Sequence, residues 1–139
     1  MLGASRSASL SFVETEIDAA TGAILARNPW NIAFGARIAF ADLGDAQRDM
    51  TGDRREFIGR NGSFARPAAL GASTRMSGRV GAALDPCAAM RGIVELTAGG
   101  VTERAFFLGE TASREEARAM IEQYRAADVD ALQAETATP

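Results

Sequence analysis

With 139 residues, 47% of them apolar and 24% charged, the chain has the length and composition of one soluble globular domain with a real core. Its formal net charge of −3 gives no electrostatic footprint for nucleic acid, and no apolar run approaches the ~20 residues that span a bilayer, so this segment is expected to touch neither nucleic acid nor membrane. There is no His and a single Cys, Cys87, which removes the commonest general base, the commonest metal ligand, an internal disulfide and a thiolate cluster, and the expectation is no metal and no cofactor.

Residues 1–9 lack the apolar core of a signal peptide and are expected to form a flexible N-terminus. Residues 10–17 read as a strand with weak alternation. A turn at Asp18-Ala19-Ala20-Thr21-Gly22 returns the chain through a second arm at 23–27, so the pair is a hairpin candidate. Asn28-Pro29-Trp30-Asn31 breaks the pattern, and a third strand is expected over 33–42 with Phe34, Ile38 and Phe40 in phase. Asp53 and Glu56 stand in the spacing of a capping box before a helix kept short by Gly59. Residues 60–63, Arg-Asn-Gly-Ser, form a polar loop. Pro67 suits the first position of a brief helix that Leu70 ends and Gly71 stops. Residues 71–86 are loop-like.

Two further strands are expected at 87–96 and 101–109, joined as a hairpin across Thr97-Ala98-Gly99-Gly100. Ser113 and Glu116 make a second capping box. Behind it Ala117, Met120, Ile121 and Tyr124 fall at helical spacing, predicting a helix over 113–126. Asp128 suits the cap of another helix through Ala134, and 136–139 should fray. The expected core is Val13, Ile17, Leu25, Ile38, Phe40, Ile93, Val94, Leu96, Phe106, Leu108, Ile121 and Tyr124. Strands do not alternate with long helices, so the fold class is mainly β: an antiparallel β-sandwich over 10–112 with short helices in its middle, followed by a helical segment over 113–135.

The chemistry-bearing residues have bland readings beside the functional ones. Asp49, Asp53 and Glu56 could serve glycosidic acid–base work, but Asp53 and Glu56 already have a task at a helix start. Arg54, Arg55, Arg60 and Arg66 with Asn61 offer fixed, planar donors suited to phosphate and sugar hydroxyls; a solvated loop is the other reading. Trp30 could stack on a sugar face, although packing against a strand end is the commoner use of Trp. Gly78-Arg79-Val80-Gly81 lacks the ending of a phosphate loop. Cys87, opening an apolar strand, reads as a buried, inert thiol.

Four stretches in order carry a family resemblance: residues 14–18 through Arg27-Asn28-Pro29; residues 51–63 and then Arg66-Pro67-Ala68-Ala69-Leu70; residues 77–81 and then Asp85-Pro86-Cys87-Ala88-Ala89; and Phe107-Leu108-Gly109-Glu110 through Tyr124-Arg125. Together they resemble glycosyltransferase family 36, now glycoside hydrolase family 94, whose members include cellobiose and chitobiose phosphorylases and the phosphorylase-like region of cyclic β-1,2-glucan synthases. The resemblance runs from about Phe12 to Leu132. It implies part of an N-terminal β-supersandwich, with the terminal helix as the approach to the family's linker. The family's general acid and phosphate site lie in a separate barrel, and no residue here matches either. The resemblance therefore implies a non-catalytic module excised from a larger enzyme, with a free-standing carbohydrate-binding module as the alternative.

The implied partners are a β-linked glucan or oligosaccharide, the remainder of the parent enzyme and a second copy in a homodimer. The implied setting is a bacterial cytoplasm, with the parent attached to a membrane through another region. In family homodimers a loop from the sandwich reaches toward the neighbour's active site. The loop around 57–63 is the candidate for that role, and the residues singled out for carbohydrate or interface contact are Arg60, Asn61, Ser63, Arg66 and Trp30.

Overall fold

The computed structural model describes residues 10–44, 47–71 and 73–128. Its elements are β1 (Glu14–Ile17), β2 (Ile24–Arg27), β3 (Ile38–Asp42), β4 (Gln47–Asp53), α1 (Arg54–Ile58), a 3-10 turn (Ala68–Leu70), β5 (Pro86–Gly92), β6 (Phe107–Thr111) and α2 (Arg114–Ala126). All strand pairings are antiparallel. One sheet has the order β1-β2-β3-β6, and β4 and β5 make a second, two-stranded sheet.

The first hairpin forms as expected. The Asp18 carboxylate accepts hydrogen bonds from the Thr21 backbone N–H and hydroxyl, both at 2.9 Å, and the Gly22 N–H closes the turn on the Asp18 carbonyl at 2.7 Å. That geometry sets Ile17 opposite Ile24. The register then places Leu25 and Phe40 on one face of the sheet, where Ala117 and Ile121 of α2 cover them with Ala23. The opposite face carries Thr15, Ala26 and Ala39, and beside them Ile24, Ala41 and Leu108.

The two sheets are stitched by residues 78–81. The Gly78 N–H donates to the Met50 carbonyl at 2.9 Å, and the Arg79 carbonyl accepts from the Gly52 N–H at 2.7 Å. On the other side the Gly81 carbonyl accepts from the Thr15 N–H at 3.1 Å. Here β4 approaches β1 so closely that a Cβ on Gly52 would stand 2.6 Å from the Thr15 hydroxyl oxygen, so only glycine fits.

Helix α2 is capped as its sequence requires. The Ser113 hydroxyl oxygen accepts from the Glu116 N–H at 3.1 Å, and the Glu116 carboxylate accepts from the Ala112 N–H at 3.0 Å, one residue earlier than in the standard box. Three arginines then clamp the helix to the sheet. Arg114 pairs with Glu16 at 2.5 Å, Arg118 with Asp18 at 2.7 Å and Arg125 with Asp42 at 2.6 Å; the last two carboxylates are fully buried. Burial alone would raise the Asp18 carboxyl, but hydrogen bonds from Arg118 and Thr21 and the Arg118 charge outweigh it and hold the group at about 2. A carboxyl depressed in the folded state stabilises the fold above its unfolded value near 3.8, and that contribution is lost as pH falls through about 2. Arg118→Met should therefore be less stable than the parent at pH 7, and the gap should close between pH 4 and pH 2 in urea melts at a series of pH values.

Several expectations are corrected. The hairpin of 87–96 with 101–109 does not form: β5 pairs with β4, and β6 pairs with β3. The partner supplied by Gln47–Asp53 is polar and carries no strand periodicity, whereas the glycine-rich stretch between two apolar runs has the pattern of a hairpin turn. In consequence Ile93, Val94, Leu96, Phe106 and Leu108 are exposed and not core. Val13, Leu25, Phe40 and Ile121 are buried as expected, while Ile17, Ile38 and Tyr124 are partly buried. The first strand starts at Glu14 and the third at Ile38. The residues before β3 are drawn into turns, and Phe34 is exposed. Pro67 stands just ahead of the 3-10 turn and not inside it. The expected flexible start at 1–9, the helix through Ala134 and the frayed tail lie outside the described residues. Among the described residues no helix is long and apolar enough to cross a membrane.

Candidate functional site

The carboxylates of the middle segment hold the fold. Asp53 is buried at the N-terminus of α1 and accepts from the Arg55 N–H at 3.0 Å. Glu56 does not fold back on that cap. It accepts from the Thr51 hydroxyl at 2.5 Å and from the Ser77 N–H at 2.7 Å, tying α1 to the 71–86 loop. Burial opposes the charge on Glu56, but these hydrogen bonds and the nearby Arg79 prevail and lower its carboxyl below the ordinary value. Asp49 pairs with Arg91 at 2.5 Å, and Arg91 also donates to the Ala69 carbonyl at 2.8 Å.

With those acids engaged in ion pairs and hydrogen bonds, the basic side chains of the same region define the site. Arg54, Arg55 and Arg60 line an open groove of about 710 Å³ together with Ile58, Gly59, Phe64 and Asp85. Two elements create it: α1 carries Arg54 and Arg55, and the turn after Gly59 brings Arg60 and Phe64 to the same side. Arg54 is anchored, donating to the Pro86 carbonyl at 3.3 Å and lying 3.8 Å from the Asp85 carboxylate. The groove is thus lined by three arginines and a phenylalanine, residue types that supply planar donors and an aromatic ring.

The structure separates the residues singled out from sequence. Arg60 lines the groove. Asn61, Ser63 and Arg66 are exposed on the adjoining turn, where Ser63 and Arg66 bridge each other through their backbones and the Ser63 hydroxyl accepts from the Arg66 N–H at 3.3 Å. Trp30 does not line this groove. It stands on the loop between β2 and β3, 72% exposed, with its ring centroid 6.3 Å from that of Phe12, so the packing expected for it is not found. Phe64 escaped the sequence reading. Its one signal was an aromatic side chain placed between Ser63 and Ala65 in a polar run.

Cys87 is partly buried, and its thiol lies 3.7 Å from the Thr51 carbonyl. Burial pushes the thiol up to about 11, against slight opposition from the Ala89 backbone and Arg54. This suppresses the reactive thiolate relative to an ordinary thiol, so iodoacetamide labelling at pH 7.5 should be markedly slower than that of glutathione. Among the described residues no group of His, Cys, Asp and Glu could hold a metal ion.

The family described as glycosyl hydrolase 94, supersandwich domain, matches residues 1–127. Over 127 residues the chain is 35% identical to the cyclic beta-(1,2)-glucan synthase NdvB of Rhizobium meliloti (strain 1021). That alignment takes in 91% of this chain but only 4% of the relative, so the chain spans a small part of the length of the protein it matches.

Proposed function

This chain belongs to the glycosyl hydrolase 94 supersandwich-domain family, and from that membership we propose that it serves as a non-catalytic β-sandwich module of a cyclic β-1,2-glucan synthase-like or glycoside phosphorylase-like protein. In this reading the arginine groove beside α1 contacts a β-linked glucan. The observation that carries it is the convergence of Arg54, Arg55, Arg60 and Phe64 on one groove while Asp49, Asp53 and Glu56 are engaged in holding the fold. Guanidinium groups offer directed donors to hydroxyl oxygens, and Phe64 offers an apolar face to a ring. Asn61, Ser63 and Arg66 on the neighbouring turn extend the polar surface. The exposed Ile93, Leu96 and Val101 suit packing against the remainder of the parent protein or a second copy.

A free-standing carbohydrate-binding module is the second reading. The clamp of α2 on its sheet supports it, because three ion pairs and a buried apolar contact close that face without another chain. Either reading predicts sugar contact at the groove. Saturation-transfer NMR with linear and cyclic β-1,2-glucans should show transfer to the parent chain, and Arg60→Ala should weaken binding about tenfold, the effect of losing a charge-assisted hydrogen bond. No transfer to the parent chain, or an Arg60→Ala variant that binds equally well, would contradict the groove's role.

A further inference from the structure

A second groove lies at the other sheet, between the loop that follows β2 and strand β6. It has a volume of about 420 Å³, within the range of small-molecule sites, and its lining includes Asn31, Phe34, Arg37, Leu108 and Glu110 over a floor at Ala39. Two of its walls are apolar and open to solvent: Phe34 is exposed, and Leu108 is 82% exposed. The rim is polar. Arg37 Nε donates to Glu110 Oε1 at 2.5 Å, and the pair reaches from the start of β3 to β6.

The loop presenting Phe34 is fixed by its own hydrogen bonds. Asn31 Oδ1 accepts from the Ala33 N–H at 3.0 Å and from the Phe34 N–H at 2.9 Å, and the Arg37 N–H donates to the Phe34 carbonyl at 3.0 Å. The backbone closes so tightly that a Cβ on Gly35 would stand 2.6 Å from the Asn31 carbonyl oxygen. Asn31 has spent its side-chain oxygen inside the loop, which leaves the two N–H bonds of Nδ2 as its remaining hydrogen-bonding capacity.

We propose that this groove is a binding site for an uncharged saccharide ring. The chemistry decides the ligand class. Arg37 and Glu110 neutralise each other, so the groove has no net charge with which to hold phosphate or carboxylate, unlike the groove at Arg54, Arg55 and Arg60. It nevertheless offers donors from Arg37 and Asn31 and an acceptor from Glu110, and a sugar hydroxyl uses both kinds. Phe34 and Leu108 supply the apolar surface that the C–H face of a pyranose covers. An apolar ligand would leave the polar rim unused, and an anion would find no net positive charge to hold it. The site is separate from the arginine groove and does not depend on it.

Titration of the ¹⁵N-labelled chain with sophorose, the β-1,2-linked glucose disaccharide, tests the site. A set of amide shifts at residues 31–39 and 107–111, separate from any at the arginine groove, should appear and saturate within about 10 mM, the weak affinity of a small polar ligand. Phe34→Ala should weaken binding about tenfold with the rest of the spectrum unchanged, because the ring is exposed and supports no core. Glu110→Gln, which keeps the shape and removes the charge, should weaken it severalfold, and Val101→Ala, at an exposed position outside both grooves, should leave it unchanged. Glucose 1-phosphate should bind no more tightly than sophorose. Absence of saturable shifts, indifference to Phe34→Ala, or preference for the phosphate would overturn the site. Shifts confined to residues 54–64 would overturn it as well, while leaving the arginine groove as the sugar contact.

Discussion

Replacing Phe40 with Ala will destabilise the protein by about 3–5 kcal/mol in urea unfolding, while Phe106→Ala will change stability by about 0.5 kcal/mol or less. Phe40 is 2% exposed and sits at the centre of the cluster formed with Leu25, Ala117 and Ile121. Truncation there removes a ring from between the sheet and α2, and the surrounding backbone, held by ladders on both sides of β3, cannot collapse to fill the space. Phe106 is 75% exposed just before β6, so its truncation removes little buried surface. A Phe106→Ala cost equal to that of Phe40→Ala would restore a core built on the hairpin of 87–96 with 101–109.

The second large effect is expected from Arg125. It donates to both Asp42 oxygens, at 2.6 and 2.9 Å, and to the Thr21 carbonyl at 2.7 Å. Asp42 is wholly buried beneath it. Arg125→Ala would strand that carboxylate, which should cost about 3–5 kcal/mol. Replacing both partners with apolar side chains, Asp42→Leu with Arg125→Met, should cost less than Arg125→Ala alone, because no uncompensated charge remains. The exposed pair of Arg27 and Glu14 makes the control: Arg27→Ala should cost roughly 0–1 kcal/mol. Urea melts of the three variants separate these cases. An Arg125→Ala cost no larger than that of Arg27→Ala would mean that α2 is not clamped to the sheet by its arginines.

What could be read from the sequence was local. The Ser113–Glu116 capping signal and the helical spacing of Ala117, Ile121 and Tyr124 concern neighbours three or four residues apart, and helix α2 follows them within a residue. The hairpin of β1 and β2 was legible for the same reason, since Asp18 and Gly22 build its turn from within. Strand β4 was not legible. Gln47–Asp53 shows no apolar alternation, and its buried members include Asp49, Thr51 and Asp53, whose burial is compensated in part by Arg91, Glu56 and Arg79 from outside the strand. With β4 hidden in a polar stretch, the apolar run at 101–109 is the nearest partner that the sequence offers β5, whereas the structure pairs β5 with β4.

The same limit shaped the candidate site. Arg60 stood out as part of a basic stretch, but a single aromatic residue in a loop has no periodicity, so Phe64 gave no signal of the face that it shares with Arg54 and Arg55. Arg114, Arg118 and Arg125 were visible as helical residues. Their acidic partners, far upstream in the chain, became apparent only once the sheet had assembled. The ordered series of motifs covering nearly the whole chain carried the supersandwich assignment further than periodicity could, and the family match over residues 1–127 agrees with it.

We propose that this chain contributes contact and not covalent chemistry. The direct measurement is a turnover assay of the purified chain with β-linked gluco-oligosaccharides and inorganic phosphate, following release of glucose 1-phosphate and of reducing sugar. Release should be no greater than in a protein-free blank, because the neighbouring Asp49, Asp53 and Glu56 are engaged in ion pairs and hydrogen bonds that hold the fold and the chain has no His. Turnover well above the blank that a single substitution in this chain abolishes would contradict it.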